Sequence, residues 1–588
     1  MSTLYKITID NRSYDSFTIY NATTLDIVTF DNFNPADHKL FTNDVFTYEN
    51  DIATVVHSSL RVDDAIPAVL ILADNKTYGR EHKLVEGKSY TAKSSQGRLL
   101  YKCIPDDNRI PAFLVPYEIK ELGFSKVLTN LYVTIRYSHW NNKHPQGMLT
   151  QTIGSVDILD NFYEYQLYCK SLNASIQKFN KDTHKSIKEK ATVHDTFIQE
   201  VFTKYSQIED RTSWKIITID PQSSLDYDDG FSIRNLNGNQ TLLSIYIANV
   251  TIWLDSLNLW SSFSQRISTI YLPDRKRPML PSILSDCLCS LQANVPRFAF
   301  VIDILLDEEH NIINISYVNA LIRVFKNFGY EEPSLLADTD YQTLFETSVK
   351  LSKKYKYISN IRNSHDVVCY LMIFMNYYCA QELLKFNNGI FRTTIIRQPP
   401  PELPDMLPEE VKKYIQIWNS TSGQYIDIHN TPSEDLRHEL LDIDAYIHIT
   451  SPIRRLVDLL NMIKLQQNMG LIVLSDDASM FYDKWIAKID YINVTMRAIR
   501  KVQIDCTLLD ACFNEPDILD KIYDGYCFDK LARNDGLYQY IVFLPELRLT
   551  SKITIRENLY NYEQRQYKLF AFTNEEKFKK KIRLQFIA

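Results

Sequence analysis

The feature that most limits the fold is a change of hydrophobic pattern along the chain, from strand-like runs at both ends to helical periodicity in the middle. The first 172 residues and the last 75 contain short β-branched and aromatic runs, among them VLTNLYVTIRY and YKLFAF. Such runs at regular spacing are typical of small β barrels and sandwiches. Residues 340–385 and 452–510 instead place apolar side chains at helical spacing. The sequence therefore predicts a multidomain α+β fold with β domains at both ends.

Composition narrows the classes of protein that this chain can be. Its 588 residues, 45% of them apolar and 23% charged, are enough for several globular domains. A polar, charged segment at residues 173–210 predicts a linker helix ahead of the central part. The net charge of −7 excludes a protein that coats nucleic acid by bulk positive charge. Any nucleic-acid site must therefore be a local basic groove.

The cysteines and the apolar stretches bear on the compartment. The nine cysteines are an odd number, and the pair Cys287 and Cys289 is too closely spaced for a CxxC zinc or redox site. We expect reduced thiols and a cytoplasmic protein, with a nuclear location left open. Residues 1–20 contain no apolar core of a secretory signal. The apolar stretch Val367–Ala380 spans 14 residues and includes Asn376, which predicts a buried helix rather than a membrane span.

An apolar strand pattern is followed at once by an acidic loop, in the sequence ITIDPQSSLDYDDG. The loop carries four carboxylates within ten residues, at Asp220, Asp226, Asp228 and Asp229. Carboxylates this close share protons, meet cations or stay solvated. A solvated turn and a site for hard divalent cations that promote phosphodiester displacement are both compatible with the pattern. An EF-hand calcium loop does not fit, because Gly230 at its sixth position would put leucines at both ends.

Three blocks of sequence resemble the signatures of the RNase II/RNase R (RNB) family of 3′→5′ exoribonucleases. They are ITIDPQSSLDYDDGFSI with LLSIYIANV, then STIYLPDRKRPMLPSILSDCLCSLQANVPRFAF, and then AYIHITSPIRRLVDLL. The segment Arg109–Asp157 also resembles the second cold-shock-like domain of the eukaryotic exosome-type members. The resemblance covers most of residues 95–510 and is weak at the ends. Three long blocks in the family's order make it specific.

The resemblance implies a domain architecture: two N-terminal cold-shock-like OB β-barrels, a large α+β RNB catalytic domain and a C-terminal OB-fold β-barrel. We place them at residues 1–92, 93–190 with the linker, 191–511 and 512–588. Exosome-type relatives carry a further N-terminal endonuclease domain. We expect this chain to lack that domain, because too few residues precede the first barrel.

The resemblance also implies roles for the four carboxylates. Asp220, Asp226 and Asp229 would hold magnesium. Asp228, counted with them as a metal-binding residue, would be the one most needed for cleavage, through a second metal ion and the attacking water.

Four further residues match positions that contact RNA in the family: Tyr271, Tyr330, Arg454 and Arg455. The tyrosines match an aromatic pair that clamps the terminal base, and base stacking suits an enzyme that must accept any sequence. Arg454 matches the catalytic arginine at the scissile phosphate. Arg455 is either a second phosphate grip or part of a structural ion pair. A helix start at this point would add a favourable dipole.

The activity implied by the resemblance is phosphodiester hydrolysis by two-metal catalysis with Mg²⁺, for which Mn²⁺ could substitute. Single-stranded RNA would lose nucleoside 5′-monophosphates from its 3′ end. We expect single-stranded RNA as the partner, no membrane, and a monomer; a helicase or complex partner is left open. The alternatives are a catalytically degenerate RNB-family protein that binds RNA or a partner, and a DNA nuclease, which a matched DNA strand would distinguish.

Several positions depart from the family pattern and motivate the degenerate alternative. The His and Asp of the family's HIAD strand are Tyr246 and Asn249. The paired Glu of a following helix are Cys369 and Tyr370, although Asn376 is kept. We expect these changes to affect processivity and product length more than chemistry, because all four carboxylates are present.

Two basic segments and two histidines allow local interpretations. The segment Lys577–Arg583 would track an RNA backbone or guard a strand edge. Residues 275–277 (RKR) would line a channel mouth or simply be exposed. His365 and His448 have no nearby ligands at metal spacing and are interpreted as structural.

Overall fold

The structure is a computed structural model. It describes residues 3–81, 97–119, 128–190, 194–205, 207–236, 239–357, 360–394, 402–419, 423–430, 436–515, 517–575 and 578–587. The chain divides into two compact units. Unit 1 comprises Met1–Asn173, Leu272–Asp274 and Val502–Ala588, and unit 2 comprises Ala174–Tyr271 and Arg275–Lys501.

The strands within the described ranges are as follows: β1 Leu4–Ile9, β2 Phe17–Asn21, β3 Ile27–Val28, β4 Val45–Glu49, β5 Ile52–His57, β6 Ile66–Leu70, β7 Leu99–Pro105, β8 Phe113–Tyr117, β9 Leu131–His139, β10 Gln146–Ser155, β11 Glu209–Asp220, β12 Asp229–Leu236, β13 Gln240–Ala248, β14 Ile270–Tyr271, β15 Lys276–Arg277, β16 Pro296–Leu306, β17 Ile312–Gly329, β18 Ile390–Thr393, β19 Gln424–Asp427, β20 Ile522–Ala532, β21 Tyr538–Leu544, β22 Leu549–Ile555, β23 Gln564–Asn574 and β24 Lys579–Ile587.

The helices in the same ranges are as follows: α1 Ser59–Val62, α2 Leu159–Cys169, α3 Gln177–Lys190, α4 His194–Lys204, α5 Val250–Ser256, α6 Pro333–Leu336, α7 Thr339–Lys354, α8 Ser364–Lys385, α9 Glu409–Asn419, α10 Leu456–Asn468, α11 Asp476–Ile486, α12 Ile489–Asn514 and α13 Asp517–Asp520.

Three sheets of unit 1 share one strand order. Strands β1–β5, β6–β10 and β20–β24 are each arranged as third, second, first, fourth and fifth, and β10 closes the middle sheet by pairing in parallel with β8. A five-stranded, partly open barrel with such crossed connections is typical of the OB fold. The predicted α+β class, with barrel-like sheets near the N-terminus and another sheet at the C-terminus, is confirmed.

One strand lies in a different sheet from the one that the predicted domain boundary assigned to it. Ile66–Leu70 pairs antiparallel with both β7 and β9, so it belongs to the middle sheet. The boundary placed at residue 92 therefore falls after the first strand of that sheet, and the break between the first two sheets lies between His57 and Ile66. The apolar pattern of this segment predicts a strand but not its partner.

The centre of unit 2 is a closed barrel of strands β11, β12, β13, β16 and β17. Neighbours pair antiparallel except β11 and β17, which close the barrel in parallel, with Asp220 opposite Gly329. The apolar run that ends β11 supplies the fully buried Ile219 to the core, and Phe231 does the same from β12. Burial of these side chains fixes which residues of each strand face inward.

Helix α8 packs against the core of this barrel. Its residues Val367, Leu371 and Phe374 are fully buried in the same apolar cluster as Ile219. Among the described residues, α8 is the one helix that is long and apolar enough, by length and composition alone, to span a membrane. In its most apolar 18-residue stretch, 56% is buried inside the protein. Core helices of globular proteins meet the same criterion.

Candidate active site

All eight residues singled out in the sequence line a single cavity of about 730 Å³ within unit 2. They are Asp220, Asp226, Asp228, Asp229, Tyr271, Tyr330, Arg454 and Arg455. Residues from the acidic loop, the hairpin of β14 and β15, the end of β17, helix α8 and the turn before α10 share its walls. Segments far apart in the chain thus converge on the acidic loop.

The barrel fixes both ends of the acidic loop. Asp220 is the last residue of β11 and Asp229 the first residue of β12. The backbone N–H of Tyr330, just beyond the strand paired with β11, donates to the backbone oxygen of Asp220 at 3.0 Å. A Cβ on Gly329 would approach the Gln222 side chain to 2.8 Å, so this close approach favours glycine. The loop therefore folds back tightly over the strand end.

Asp228 is 3% exposed, and both of its carboxylate oxygens accept hydrogen bonds from the turn before α10. Its Oδ1 accepts a hydrogen bond from the backbone N–H of Ile453 at 3.0 Å, and its Oδ2 accepts one from Nε of Arg454 at 3.1 Å. The Arg454 side chain is nevertheless 47% exposed. Burial raises the pKa of Asp228 to about 7 against the opposing effect of Arg454. Arg454 thus contacts a buried carboxylate and keeps accessible surface in the cavity.

Asp226 has both carboxylate oxygens engaged by the hairpin of β14 and β15. Oδ2 accepts a hydrogen bond from the hydroxyl of Tyr271 at 3.1 Å, and Oδ1 lies 3.2 Å from Nζ of Lys276. Tyr271 and Lys276 are directly opposed cross-strand partners. The Lys276 ammonium also contacts Oδ1 of Asp286 at 2.9 Å. One lysine thus bridges two acidic side chains.

Asp220 and Asp229 each have a buried Oδ2 that accepts no hydrogen bond from the described residues. Burial, with mutual repulsion, raises the pKa of Asp229 well above its usual range, and burial raises that of Asp220 to about 6. No three His, Cys, Asp or Glu side chains in the described parts of the chain are grouped to hold a metal ion. Two orphaned buried carboxylate oxygens nevertheless fit a hard cation, which prefers oxygen ligands.

Arg455 holds a buried acid just before helix α10. Its guanidinium donates to Oδ1 of Asp458 at 2.9 Å, and Asp458 is fully buried. The same Oδ1 accepts the backbone N–H of Ser451 at 2.7 Å. Arg455 is the N-cap residue of α10, which begins at Leu456, so the predicted helix start lies one residue after the arginine pair. Of the two interpretations of Arg455, these contacts favour the structural ion pair.

The comparison with known families bears directly on this cavity. Residues 208–366 match the family model described as the RNB domain. The chain carries an RNB domain. Ribonuclease R from Mycoplasmopsis pulmonis is 28% identical over 200 residues, which cover 33% of this chain and 26% of that protein. The chain spans less than half the length of these first curated relatives.

Solved structures show the same fold over nearly the whole chain. Mycoplasma genitalium RNase R in complex with ribose methylated single-stranded RNA superposes with a TM-score of 0.63 at 14% identity, covering 100% of both chains. Yeast Ssd1, a pseudonuclease, superposes with a TM-score of 0.57 at 12% identity, covering 96% of this chain and 80% of that one. The fold is thus shared by an RNase R and by a pseudonuclease.

The two tyrosines that line the cavity differ in exposure. The Tyr271 side chain is 39% exposed, so its ring is accessible to a ligand. Tyr330 is half-buried, and its ring centroid lies 5.3 Å from that of His365. Both tyrosines line the cavity, and His365 adds a further ring beside Tyr330.

The departures from the RNB pattern at residues 246 and 249 have local explanations. Asn249 is fully buried. Its Nδ2 donates hydrogen bonds to Oδ1 of Asn319 at 2.9 Å and to Oε1 of Gln466 at 3.0 Å. Its Oδ1 accepts a hydrogen bond from the backbone N–H of Ile252 at 3.3 Å. Tyr246 and Ser232 share a buried hydroxyl hydrogen bond of 2.9 Å. A neutral amide network thus occupies the position of the family's acidic residue.

The departures in helix α8 differ from each other. Cys369 lines the cavity, whereas Tyr370 is fully buried in the core. The retained Asn376 accepts the backbone N–H of Ile449 at 2.9 Å and donates to the Tyr446 hydroxyl at 3.0 Å. It therefore fixes the segment that leads to the arginine turn.

Lys276 is the site residue whose role the sequence did not indicate. The run RKR was expected to line a channel mouth or to be simply exposed. Lys276 lines the cavity and contacts Asp226, whereas Arg277 is 6% exposed. The signal that could have found it is the short β-turn spacing that places it opposite Tyr271. His448, predicted to be structural, does hydrogen-bond to the Tyr425 hydroxyl at 2.7 Å, and it also lines the cavity.

The basic tail segment lies mainly in β24. Lys577 falls outside the described residues. Lys579 forms an ion pair with Asp106 at 2.7 Å, and the Arg583 guanidinium lies 4.6 Å from the ring centroid of Phe572. These two side chains therefore already have partners within unit 1.

Proposed function

We propose that the chain is a 3′→5′ exoribonuclease that hydrolyses single-stranded RNA to nucleoside 5′-monophosphates. The observation that carries the proposal is the convergence of four aspartates, Arg454 and an exposed aromatic ring on one cavity of unit 2. Paired phosphate and base contacts suit a strand end held in a fixed position. Ribonuclease R relatives and the RNase R fold support the same reaction class.

A divalent cation, Mg²⁺ or Mn²⁺, would be held by Asp220 and Asp229 through their unpartnered buried oxygens. When bound, it would polarise the phosphate and lower the pKa of a water molecule. The two-cation arrangement expected from the resemblance would also recruit Asp226 and Asp228, both of which have hydrogen-bond partners within the chain.

The remaining side chains bind and orient the RNA end. Arg454 presents a half-exposed guanidinium, which can bind two phosphate oxygens at once and stays charged at any working pH. Tyr271 offers its accessible ring to the terminal base without selecting a sequence. Asp228 is held by the N–H of Ile453 and by Arg454, which keep its carboxylate oriented beside the phosphate-binding group.

A second candidate function is binding of RNA without cleavage. The observation that favours it is that Asp226 and Asp228 are paired with Lys276 and Arg454 instead of being free to bind a cation. The pseudonuclease Ssd1 has the same fold.

A gel with 5′-labelled single-stranded RNA distinguishes the two functions. We expect a ladder that shortens from the 3′ end with Mg²⁺ or Mn²⁺, none with EDTA, and shifted but intact RNA for Asp228→Asn. A matched DNA strand should remain intact if the ribose 2′-hydroxyl is recognised. Intact RNA with the wild-type chain under all metal conditions contradicts the exoribonuclease proposal and supports the binding function.

A further inference from the structure

The four aspartates of the cavity fall into two pairs, one with basic partners and one with buried oxygens that accept no hydrogen bond. Asp226 and Asp228 are each ion-paired, with Lys276 and Arg454 respectively. Asp220 and Asp229 each keep an unpartnered buried oxygen, and Asp229 is 8% exposed. An isolated buried carboxylate is strongly unfavourable, so this second pair requires a proton or a cation.

Lys276 is held beside Asp226 by its ion pairs and by the pairing of its strand. Its side chain is 23% exposed, and those of Asp226 and Asp286 are 11% and 20% exposed. Cross-strand pairing with Tyr271 fixes the position of Lys276 on the hairpin. The hydroxyl of Tyr271 donates a hydrogen bond to the other carboxylate oxygen of Asp226. A metal ion at Asp226 would have to displace both the ammonium and the hydroxyl and would leave Asp286 without this cation.

We propose that the Lys276 ammonium replaces a second divalent cation in this site, so that the chain holds one divalent cation, at Asp220 and Asp229. The charge of the Asp220 and Asp229 pair agrees with this arrangement. When both carboxylates are ionised they carry two negative charges, which one divalent cation balances. A second divalent ion beside the Lys276 ammonium would be repelled by it. This inference rests on the proposed function only in assigning a divalent cation to the cavity.

Lys276 is thus a positioning residue, and its role can be measured by metal binding without RNA. The full-length chain, freed of metal with EDTA and dialysed, is titrated with Mn²⁺ alone by isothermal calorimetry, and free Mn²⁺ is counted by electron paramagnetic resonance. We expect one Mn²⁺ per chain for the wild type. Two Mn²⁺ ions bound to the wild-type chain overturn the proposal, whatever the variants do.

Lys276→Met removes the ammonium and keeps a chain of similar length, so we expect it to bind two Mn²⁺ ions. Lys276→Arg retains the charge and should bind one. The matched control is Lys385→Met on helix α8, whose side chain is 64% exposed and pairs with Glu382; it should bind one. Thermal unfolding confirms that each variant is folded. One ion bound to a folded Lys276→Met, with unchanged affinity, overturns the proposal.

Two carboxylate variants test which oxygens hold the ion. Asp229→Asn should weaken Mn²⁺ binding by more than about 100-fold, because even the partners of metal ligands contribute about 10- to 100-fold. Asp226→Asn should change the affinity by less than about tenfold, as expected for a residue that is not a ligand. The reverse order of the two effects overturns the assignment.

The results separate this inference from the proposed function. A wild-type chain that degrades RNA while holding two Mn²⁺ ions overturns the single-cation site and leaves the exoribonuclease standing. A wild-type chain that holds one Mn²⁺ ion but leaves RNA intact supports the site and overturns the exoribonuclease.

Discussion

Nε of Arg454 lies 3.1 Å from Oδ2 of Asp228, so a half-exposed guanidinium is fixed on a carboxylate that is almost fully buried. The contact orients the rest of the guanidinium towards the cavity that it lines. A second hydrogen bond, from its Nη2 to Oγ of Ser451 at 3.1 Å, restricts the side chain further.

Arg454→Lys should therefore lower kcat/KM for RNA by about 100-fold, a loss typical for removal of a group that stabilises transition-state charge. Lysine keeps the charge but cannot bind Asp228 and a phosphate through one planar group. Initial rates on a short labelled RNA provide the measurement. The control is Arg437→Lys, an exposed arginine paired with Asp442 and Asp444. Equal activity of Arg454→Lys and the wild type would contradict the assigned role.

Arg455 should behave differently, because its partner Asp458 is fully buried. Arg455→Met leaves that carboxylate without its cation and should lower the free energy of unfolding by about 3–5 kcal/mol. Denaturant unfolding followed by circular dichroism measures the loss. The double variant Arg455→Met/Asp458→Leu should recover part of it, because the charge left without a partner has been removed. No recovery would show that the ion pair is not the cause.

Tyr271 is predicted to bind the terminal base through its ring. Tyr271→Ala should raise KM for RNA by about tenfold or more, with a smaller change in kcat, because stacking contributes about 1–3 kcal/mol per base. Tyr271→Phe keeps the ring and should stay nearer the wild-type KM, although it loses the hydrogen bond to Asp226. A KM for Tyr271→Phe as high as that of the alanine variant would assign the effect to the hydroxyl instead.

Restoring the family's acidic residue at position 249 should be harmful here. In Asn249→Asp the carboxylate would face Asn319 Oδ1 and Gln466 Oε1, which now accept hydrogen bonds from the amide. We expect a loss of about 3 kcal/mol in the free energy of unfolding, typical of a buried charge without a partner. The control is Asn235→Asp at an exposed strand position. Unchanged stability of Asn249→Asp would mean that the network rearranges at little cost.

The buried side chain of His438 should make the stability of the folded chain sensitive to acid. Burial, assisted by Arg392, lowers the pKa of His438 to about 4. In the unfolded chain a histidine has a pKa of about 6.5, so between about pH 6.5 and 4 the unfolded state binds the extra proton. Stability is therefore full above this window and falls as the pH decreases through it.

The melting temperature at pH 7 and pH 5 measures this effect. His438→Gln should lose less stability than the wild type on acidification, whereas His139→Gln, at an exposed position, should follow the wild type. Parallel curves for His438→Gln and the wild type would exclude His438 as a source of the acid sensitivity.

The sequence predicted the parts of the site that are contiguous in the chain. The acidic loop after β11 has the predicted position, and the apolar stretch around Phe374 forms a buried helix. The sequence did not predict that Lys276 contacts Asp226, because that contact depends on which residues of a two-residue ribbon lie opposite each other. Neither the charge of the run RKR nor the hydropathy of the segment indicates which residues pair across the two strands.

The Asn249 network was likewise inaccessible from the sequence. Its partners Asn319 and Gln466 lie on β17 and α10, and only the packed fold brings their amides together. The grouping of β6 with β7 was missed for the same reason. Local apolar pattern specifies that a segment is a strand, whereas its neighbours are set by the packing of the whole sheet.

The parallel pairing of Asp220 with Gly329 joins residues more than a hundred positions apart. During synthesis the acidic loop therefore emerges from the ribosome long before the strand that closes the barrel beside it. Until that strand docks, the Tyr330 N–H cannot restrain the loop and Tyr330 is missing from the cavity wall. The cavity wall of a partly made chain is therefore incomplete until β17 has been synthesised and has paired with β11.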